Sequence, residues 1–210
     1  MKAHTKETQD TMTPEKALQF LKEGNIRFQQ NLKANRNLLE QVNDTSDGQF
    51  PFATILSCID SRVSAELVFD QGLGDIFSIR IAGNFVNEDI LGSMEFACKL
   101  AGSKIILVLG HTSCGAVKGA CDDAKMGNLT ALISKIKPAV EAVKEPSDAA
   151  QRTSKNLDFV DKVADMNVHQ TIANIREQSP VLKEMEDSGE IKIYGGMYDV
   201  NDGSVSFFNE

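Results

Sequence analysis

Two short apolar runs in this chain stop abruptly at residues that bind soft metal ions. The first run lies in ATILSCIDSR, residues 53–62, and the second in IILVLGHTSCG, residues 105–115. Each run is rich in Ile, Leu and Val and is followed by a helix-forming segment, which is typical of buried parallel strands. The sequence therefore predicts two strand ends that could bring Cys58, His111 and Cys114 together.

The remaining apolar patterns predict where the other strands and helices lie. Bounded apolar runs predict strands at 52–57, 76–81, 104–110, 191–194 and 205–208. Helical spacing predicts helices at 63–69, 90–101, 115–125, 129–144 and 154–178, the last continued after Pro180 to Asp187. Because strands alternate with helices, the predicted fold class is α/β, with a mostly parallel central sheet of four to five strands flanked by helices.

A long helical arm is predicted near the N-terminus. Thr13 followed by Pro14 is a helix-start signal, a capping residue and then a proline at the first helical position. Apolar residues then recur at helical spacing as far as about Asn35, with Gly24 as a candidate break. The arm needs an apolar surface, which its own sheet or a second subunit could supply.

The length of 210 residues is sufficient for one substantial core, so we expect a single domain. Residues 1–12 are polar and are predicted to form a poorly ordered tail, and 13–210 are predicted to form the α/β domain. Residues 36–51 are predicted to be a polar connector.

The charge and the apolar runs of the sequence indicate which partners and which cellular location to expect. The net charge is −8 and no Lys/Arg-rich run occurs, which argues against a nucleic-acid partner. No apolar run approaches the ~20 residues of a membrane-spanning helix, so no membrane partner is expected. The N-terminal stretch lacks the apolar core of a signal peptide, and the predicted location is the cytoplasm, although a leader already removed would leave no trace.

The cysteines and histidines indicate a metal site rather than a disulfide framework. Cys58, His111 and Cys114 supply two thiolates and one imidazole, a donor set that zinc accepts readily. Three protein ligands are typical of a catalytic zinc with a fourth position for water. Asp60 is the nearest further donor. If Asp60 pairs with Arg62, the fourth zinc position stays open; if the pair breaks, Asp60 could occupy that position. The other cysteines, Cys98 and Cys121, are expected to be inert apolar residues.

The two motifs also carry a family resemblance. CIDSR at 58–62 together with HTSCG at 111–115 resembles the paired signature of the β-class carbonic anhydrases. Three flanking segments are similar to the same family: ALQFLKEGNIRF at 17–28, RIAGN at 80–84 and IKIYGGMYDVNDG at 191–203. The likeness therefore covers nearly the whole chain from about residue 14.

The resemblance implies an activity, a cofactor and an assembly. The implied reaction is the reversible hydration of carbon dioxide to bicarbonate and a proton by a zinc-bound hydroxide. One zinc ion per subunit would be held by Cys58, His111 and Cys114, and the Asp60/Arg62 dyad would orient the nucleophile. The family also implies a homodimer or homotetramer, with the N-terminal helix reaching a neighbouring subunit and pocket residues shared.

The resemblance further assigns residues to the substrate pocket. Gln49 matches a position whose amide helps to hold substrate, and the Gly115 backbone amide would face the substrate oxygen. Phe77, Ala82 and Phe96 match apolar positions that line the pocket.

One position bears on regulation. The bicarbonate-regulated branch of the family has a tryptophan where this chain has Ile55, and the chain contains no tryptophan, although Arg80 and Tyr198 match two other residues of that branch. We therefore predict the branch whose zinc site stays open.

Three alternative functions use the same residues. A cysteine hydrolase would use Cys58 as nucleophile and His111 as base, and would need no metal. A zinc lyase acting on carbon disulfide or carbonyl sulfide would share every ligand. In the third, zinc is structural and Asp60 is its fourth ligand, which gives a closed coordination sphere at all pH values.

Overall fold

The computed structural model describes residues 2–208. Five strands form one sheet: β1 Ala53–Ser57, β2 Ile76–Arg80, β3 Ile105–His111, β4 Lys192–Tyr198 and β5 Val205–Phe207. The helices before β3 are α1 Lys6–Asp10, α2 Pro14–Gln29, α3 Leu38–Asp44, α4 Ala65–Val68 and α5 Glu88–Glu95, which continues as a π-helical turn, Phe96–Leu100. Those after β3 are α6 Gly115–Cys121, α7 Gly127–Ser134, α8 Lys137–Ala142, α9 Leu157–Gln178 and α10 Pro180–Asp187, with a short 3₁₀ turn at Ala149–Gln151.

The strand order is β2-β1-β3-β4-β5, with the first four strands parallel and β5 antiparallel to β4. All residues of β1 and β3 are buried, as their continuous apolar sequences require, while β2 is a half-buried edge strand. The predicted fold class, a mostly parallel sheet flanked by helices, is confirmed.

Helices cover both faces of the sheet, because alternate strand residues point to opposite sides. On one face, Ile55 and Leu107 pack with residues of α2 and α4. On the other, Leu56 and Val108 pack with residues of α5, α9 and α10. A third apolar cluster lies around α6, α7, α8 and the start of α9, and it includes Cys58 and Cys114.

The N-terminal helices differ from the sequence prediction in length. Helix α2 begins at Pro14 behind the Thr13 cap, as predicted, but ends at Gln29 rather than near Asn35, and Asn31 has a left-handed φ of 54°. Gly24 does not break the helix. A Cβ there would lie 1.8 Å from the Phe69 carbonyl oxygen, so the glycine permits close packing against α4.

The segments predicted as a poorly ordered tail and as a polar connector each contain a short helix. In the predicted tail, Thr5 caps α1, and the buried Gln9 side chain donates to the carbonyls of Pro51 and Ala101, both at 2.8 Å. In the predicted connector, Asn37 caps α3. The division into a tail and one domain stays a prediction.

Two helix and strand boundaries differ from those predicted from the sequence, and the structure gives a reason for each. The predicted helix at 129–144 is two helices, because Pro138 lacks the N–H that a continuous helix would need there. Strand β4 continues to Tyr198, four residues past its predicted end, because Gly195 and Gly196 extend the strand rather than end it. A Cβ at Gly195 would lie 2.5 Å from Cδ2 of Phe208, so close packing explains this glycine.

Candidate metal centre

The sheet topology brings the ends of β1 and β3 to one place. The two strands are parallel neighbours with Ser57 opposite Leu109, so Cys58 and His111 follow at the same edge of the sheet. The chain leaves β1 towards β2 on one side and leaves β3 towards β4 on the other. Such a switch point is where parallel α/β sheets usually bind their ligands.

Three buried side chains converge at this edge. One potential ligand atom from each of Cys58, His111 and Cys114 lies within 4.8 Å of the others, and the two sulfur atoms are 3.9 Å apart. Cys114 is turned inwards by Ser113, which has a left-handed φ of 55° and donates its N–H to Asp161 Oδ1 at 2.7 Å. Within residues 2–208 this is the only cluster of three or more such side chains placed to hold a metal ion.

The imidazole of His111 is oriented for coordination. Its Nδ1 lies 2.9 Å from the carbonyl oxygen of Thr112, so Nδ1–H donates to that oxygen in the tautomer that satisfies the carbonyl. Its Nε2 is buried and has no hydrogen-bond partner among the residues that the structure describes. An unpaired buried nitrogen is costly unless a ligand uses its lone pair, and zinc accepts such a nitrogen with two thiolates. The residues present therefore fit a zinc ion.

The two thiols have opposite pKa shifts because they are close together. A hydrogen bond from the Cys114 thiol, with a smaller contribution from the Gly83 N–H, outweighs the effect of burial and lowers the pKa of Cys58 to about 4. The pKa of Cys114 is raised, because its thiol donates to the Cys58 sulfur and because it is buried. Without a metal ion, the two thiols therefore share one negative charge. A divalent cation would favour the ionisation of both thiols.

Asp60 and Arg62 form a forked ion pair beside this cluster. Arg62 Nε donates to Asp60 Oδ1 at 2.9 Å, Arg62 Nη2 donates to Oδ2 at 2.8 Å, and the Arg62 N–H adds a third bond at 3.0 Å. These bonds hold the pKa of Asp60 well below its usual range. The Asp60 side chain is 18% exposed and that of Arg62 is 51% exposed, so the pair faces the solvent side of the site.

Sequence reasoning missed the residues that hold the loop carrying these ligands. Arg80, at the end of β2, donates to the carbonyl oxygens of Cys58 at 3.0 Å and Asp60 at 2.7 Å. The Gly83 N–H donates to Cys58 Sγ at 3.4 Å. Each of these hydrogen bonds, like the one from Ser113 to Asp161, involves a backbone N–H or carbonyl group. A pattern of side chains in the sequence does not show which backbone group a residue will bond.

The predicted pocket residues fall into two groups. Ala82 precedes Gly83 and Gly115 follows Cys114, so both are close in sequence to the ligand cluster. Phe77 pairs with Thr54 in the sheet, four residues before Cys58, which places it about 13 Å back along the strand direction.

Two further pocket residues also lie away from the ligands in a single chain. Phe96 contacts Phe77 edge to face, with ring centroids 6.5 Å apart, beside the edge strand. Gln49 is exposed and lies four residues before the first residue of β1, whereas Cys58 follows the last residue of that strand. A single copy therefore does not bring Gln49, Phe77 and Phe96 to the metal cluster.

The remaining cysteines and histidines lie outside the cluster. Burial raises the pKa of Cys98 to about 12 and that of Cys121 to about 11. His4 packs against Phe20 and Phe52, and His169 stacks on Phe208 with ring centroids 4.5 Å apart. These residues are packed in other parts of the molecule.

The parallel sheet and the Cys/His/Cys group at its switch point define an α/β metalloprotein. The sequence model of the carbonic anhydrase family matches residues 53–205, and the chain belongs to that family, in its β class. The predicted family and enzyme class are confirmed.

Individual relatives resemble the chain over most of its length. It is 37% identical over 191 residues to carbonic anhydrase 2 of Mycobacterium tuberculosis, an alignment that covers 90% of each chain. The solved structure of the β-carbonic anhydrase CcaA has a TM-score of 0.71 at 25% identity and covers 91% of this chain and 95% of its own. A tetrameric β-carbonic anhydrase of Sordaria macrospora has a TM-score of 0.66 at 22% identity, covering 79% of this chain and 84% of its own, and shares the fold.

Family membership identifies the cofactor. The β-carbonic anhydrases are zinc enzymes, and Cys58, His111 and Cys114 form the group positioned to bind one metal ion. The predicted zinc cofactor is thereby confirmed. In the described residues, no helix has the length and apolar character needed to span a membrane.

Proposed function

We propose that this protein catalyses the reversible hydration of carbon dioxide to bicarbonate and a proton at the Cys58, His111 and Cys114 site. The observation that carries the proposal is the convergence of two thiols, 3.9 Å apart, with a buried imidazole whose Nε2 has no partner within residues 2–208. Family membership supports the same reaction. A bound zinc ion would supply a strong Lewis acid that lowers the pKa of a coordinated water molecule.

We assign Asp60 the task of orienting the attacking water. Its carboxylate accepts a hydrogen bond from the water, which directs the oxygen lone pair at carbon dioxide. Arg62 holds the carboxylate in place through its forked bonds and keeps it ionised. Because Arg62 already bonds both carboxylate oxygens of Asp60, the carboxylate accepts the hydrogen bond without competing for the metal.

We further propose that the metal site stays open to substrate. Asp60 would have to break three hydrogen bonds from Arg62 before it could become a fourth ligand. Ile55, which stands where the regulated branch has tryptophan, is fully buried in the core. The hydrogen bonds argue against a structural zinc site closed by Asp60. The missing tryptophan favours the open branch over the bicarbonate-regulated one.

We infer that a second copy of the chain completes the substrate pocket. The predicted pocket residues Gln49, Phe77 and Phe96 lie away from the ligands of their own chain. Phe96 is 53% exposed beside the edge strand β2, where a second copy would cover it. The proposed assembly is a homodimer or homotetramer, and the cytoplasmic location stays a prediction from the sequence.

The deciding experiment combines zinc quantitation with stopped-flow hydration of carbon dioxide. We expect one zinc ion per chain, and activity that is lost on chelation and restored by zinc. Activity that survives complete removal of zinc would favour the cysteine hydrolase. Turnover of carbon disulfide or carbonyl sulfide without hydration of carbon dioxide would favour the related zinc lyase.

The role of Asp60 is tested by Asp60→Asn. We expect the variant to retain zinc and to lose about 100-fold in kcat/KM, because the attacking water is no longer held in line. The matched control is Glu186→Gln, which removes a carboxylate held by the forked guanidinium of Arg176 far along the chain. Undiminished turnover in Asp60→Asn would remove the assigned role.

A further inference from the structure

We propose that Asn167 is a positioning residue for the zinc ligand Cys58, acting through the backbone of Gly83. The inference deepens the proposed function, since it assumes that Cys58 binds zinc. Asn167 lies on α9, far along the chain from the ligands, and neither sequence motif includes it.

Two hydrogen bonds, one to the carbonyl and one from the N–H of Gly83, link Asn167 to the Cys58 sulfur. The Asn167 side-chain amide donates to the Gly83 carbonyl oxygen at 2.8 Å, and the Gly83 N–H donates to Cys58 Sγ at 3.4 Å. One turn further along α9, Thr171 Oγ1 donates to the Asn84 carbonyl oxygen at 3.3 Å. Helix α9 therefore holds two successive carbonyls of the turn that faces the ligand.

The turn has little freedom to move away from these bonds. Asn167 and Thr171 are 2% and 1% exposed, so water does not compete for their donors. Gly83 has a left-handed φ of 81°, and a Cβ at this position would lie 2.4 Å from Cδ1 of Ile136. The Gly83 backbone is thus fixed by hydrogen bonds on one side and by packing on the other.

This arrangement affects the electronic properties of the metal ligand. A backbone N–H that points at a thiolate withdraws negative charge from sulfur and fixes the direction of its lone pairs. With less charge donated by one of two thiolates, the zinc ion remains a stronger Lewis acid. Asn167 holds the peptide plane that follows Gly83. The packed Gly83 Cα joins this plane to the preceding one, whose N–H is thereby kept pointing at Cys58.

The first test observes the wild-type protein with ¹¹³Cd in place of zinc. We expect a scalar coupling between the Gly83 amide proton and ¹¹³Cd, transmitted through the hydrogen bond to the cadmium-bound Cys58 sulfur. A fully loaded protein with no such coupling overturns the inference. Protein that binds no cadmium at Cys58, His111 and Cys114 contradicts the zinc site itself, so the two failures are distinguishable.

The second test compares Asn167→Leu with Asn25→Leu. Both residues are buried asparagines whose amides donate to backbone carbonyls, and those bonded by Asn25 belong to Val68 and Gly203. We expect Asn167→Leu to bind zinc about 10-fold more weakly in a chelator competition and to shift the thiolate-to-cobalt charge-transfer band of the Co²⁺ form. We expect Asn25→Leu to lose stability without either change.

The variants separate a positioning role from a structural one. The inference is wrong if folded Asn167→Leu keeps the wild-type zinc affinity and cobalt band, or if Asn25→Leu changes both equally. Should Asn167→Leu not fold, Asn167→Ala, which also removes the amide donor but adds no bulk, takes its place in both measurements, with Asn25→Ala as its control.

Discussion

At the scale of single residues, the orienting role proposed for Asp60 depends on its forked pair with Arg62. The guanidinium places two donors in one plane, 2.9 and 2.8 Å from the two carboxylate oxygens. A lysine ammonium carries the same charge, but its three donors lie on one freely rotating nitrogen and cannot fix the plane of a carboxylate.

Arg62→Lys should therefore lower kcat about 10-fold while zinc content stays at the wild-type level. Stopped-flow hydration assays with metal analysis on the same samples measure both quantities. Arg176→Lys is the control, because Arg176 forms the same two-bond fork with Glu186 at 2.8 and 2.7 Å in another part of the protein. Equal activity in the two lysine variants would contradict the need for a fork at Asp60.

A second residue-scale feature is a buried carboxylate that stabilises the fold. Asp70 is 6% exposed and accepts from Arg27 Nε at 2.5 Å and Arg36 Nη1 at 2.6 Å. Burial alone would raise the pKa of this carboxyl, but hydrogen bonds from Arg27, the Ala34 N–H and Arg36 bring it below its usual value. A lowered pKa means that the stabilisation is fully present above the unfolded-state pKa of about 4 and is lost as pH falls through the folded-state value.

Asp70→Asn should therefore lower the free energy of unfolding by about 3 kcal/mol at pH 7, because two guanidinium groups lose their counter-charge. The difference from wild type should shrink below about pH 4. Urea unfolding at both pH values, at one protein concentration, measures it. Asp123→Asn is the control. Asp123 and Asp70 both have a left-handed φ, of 53° and 45°, and Asp123 faces two lysines, but its side chain is 61% exposed, so no change is expected.

At the scale of helices and strands, most of the predictions hold where packing and local signals agree. The five strands were predictable from apolar runs, most clearly β1 and β3, which are buried on both faces. The wrongly predicted boundaries lie where the residue type is set by a contact with a distant part of the chain. From sequence alone, Gly24 indicates a break in a helix and Gly195 the end of a strand. Both lie inside regular elements, and each is a glycine because a neighbouring segment approaches too closely for a Cβ.

Gly24→Ala should consequently destabilise the protein by about 2 kcal/mol, because the added methyl forces α2 away from the Phe69 carbonyl. Gly92→Ala is the matched helical control. Its Cβ would meet nothing within 4 Å, so alanine should stabilise α5 by about 0.5–1 kcal/mol. Urea unfolding should give shifts of opposite sign, and shifts of the same sign would show that close packing at Gly24 is not the reason for the glycine.

At the scale of the whole molecule, the sequence indicated the metal ligands better than their surroundings. Cys58, His111 and Cys114 stand next to recognisable strand ends, so their convergence follows from the sheet order. Part of their support comes from α9, where Asp161 accepts a hydrogen bond from the Ser113 N–H and Asn167 donates one to the Gly83 carbonyl. Such contacts depend on how α9 packs across the sheet, which local sequence does not encode.

The proposed pairing of two copies is also a property of the whole molecule. Phe96→Glu should weaken association roughly 30-fold, because it would bury an unpaired charge in the proposed interface, and hydration activity should fall with the loss of dimer. Sedimentation equilibrium over a range of concentrations measures the association. Met126→Glu, at a residue 69% exposed elsewhere, should leave it unchanged. Unaltered assembly in Phe96→Glu would place the interface on another surface.

The two thiol ligands come from turns that are 56 residues apart in the chain. A zinc ion that joins them acts as a reversible cross-link, which exists only while β1 and β3 are side by side. In the unfolded chain the same side chains are scattered, and the entropic cost of closing so long a loop makes them poor ligands. Metal retention and resistance to heat should therefore fall together, and a chelator should act as a denaturant for this protein.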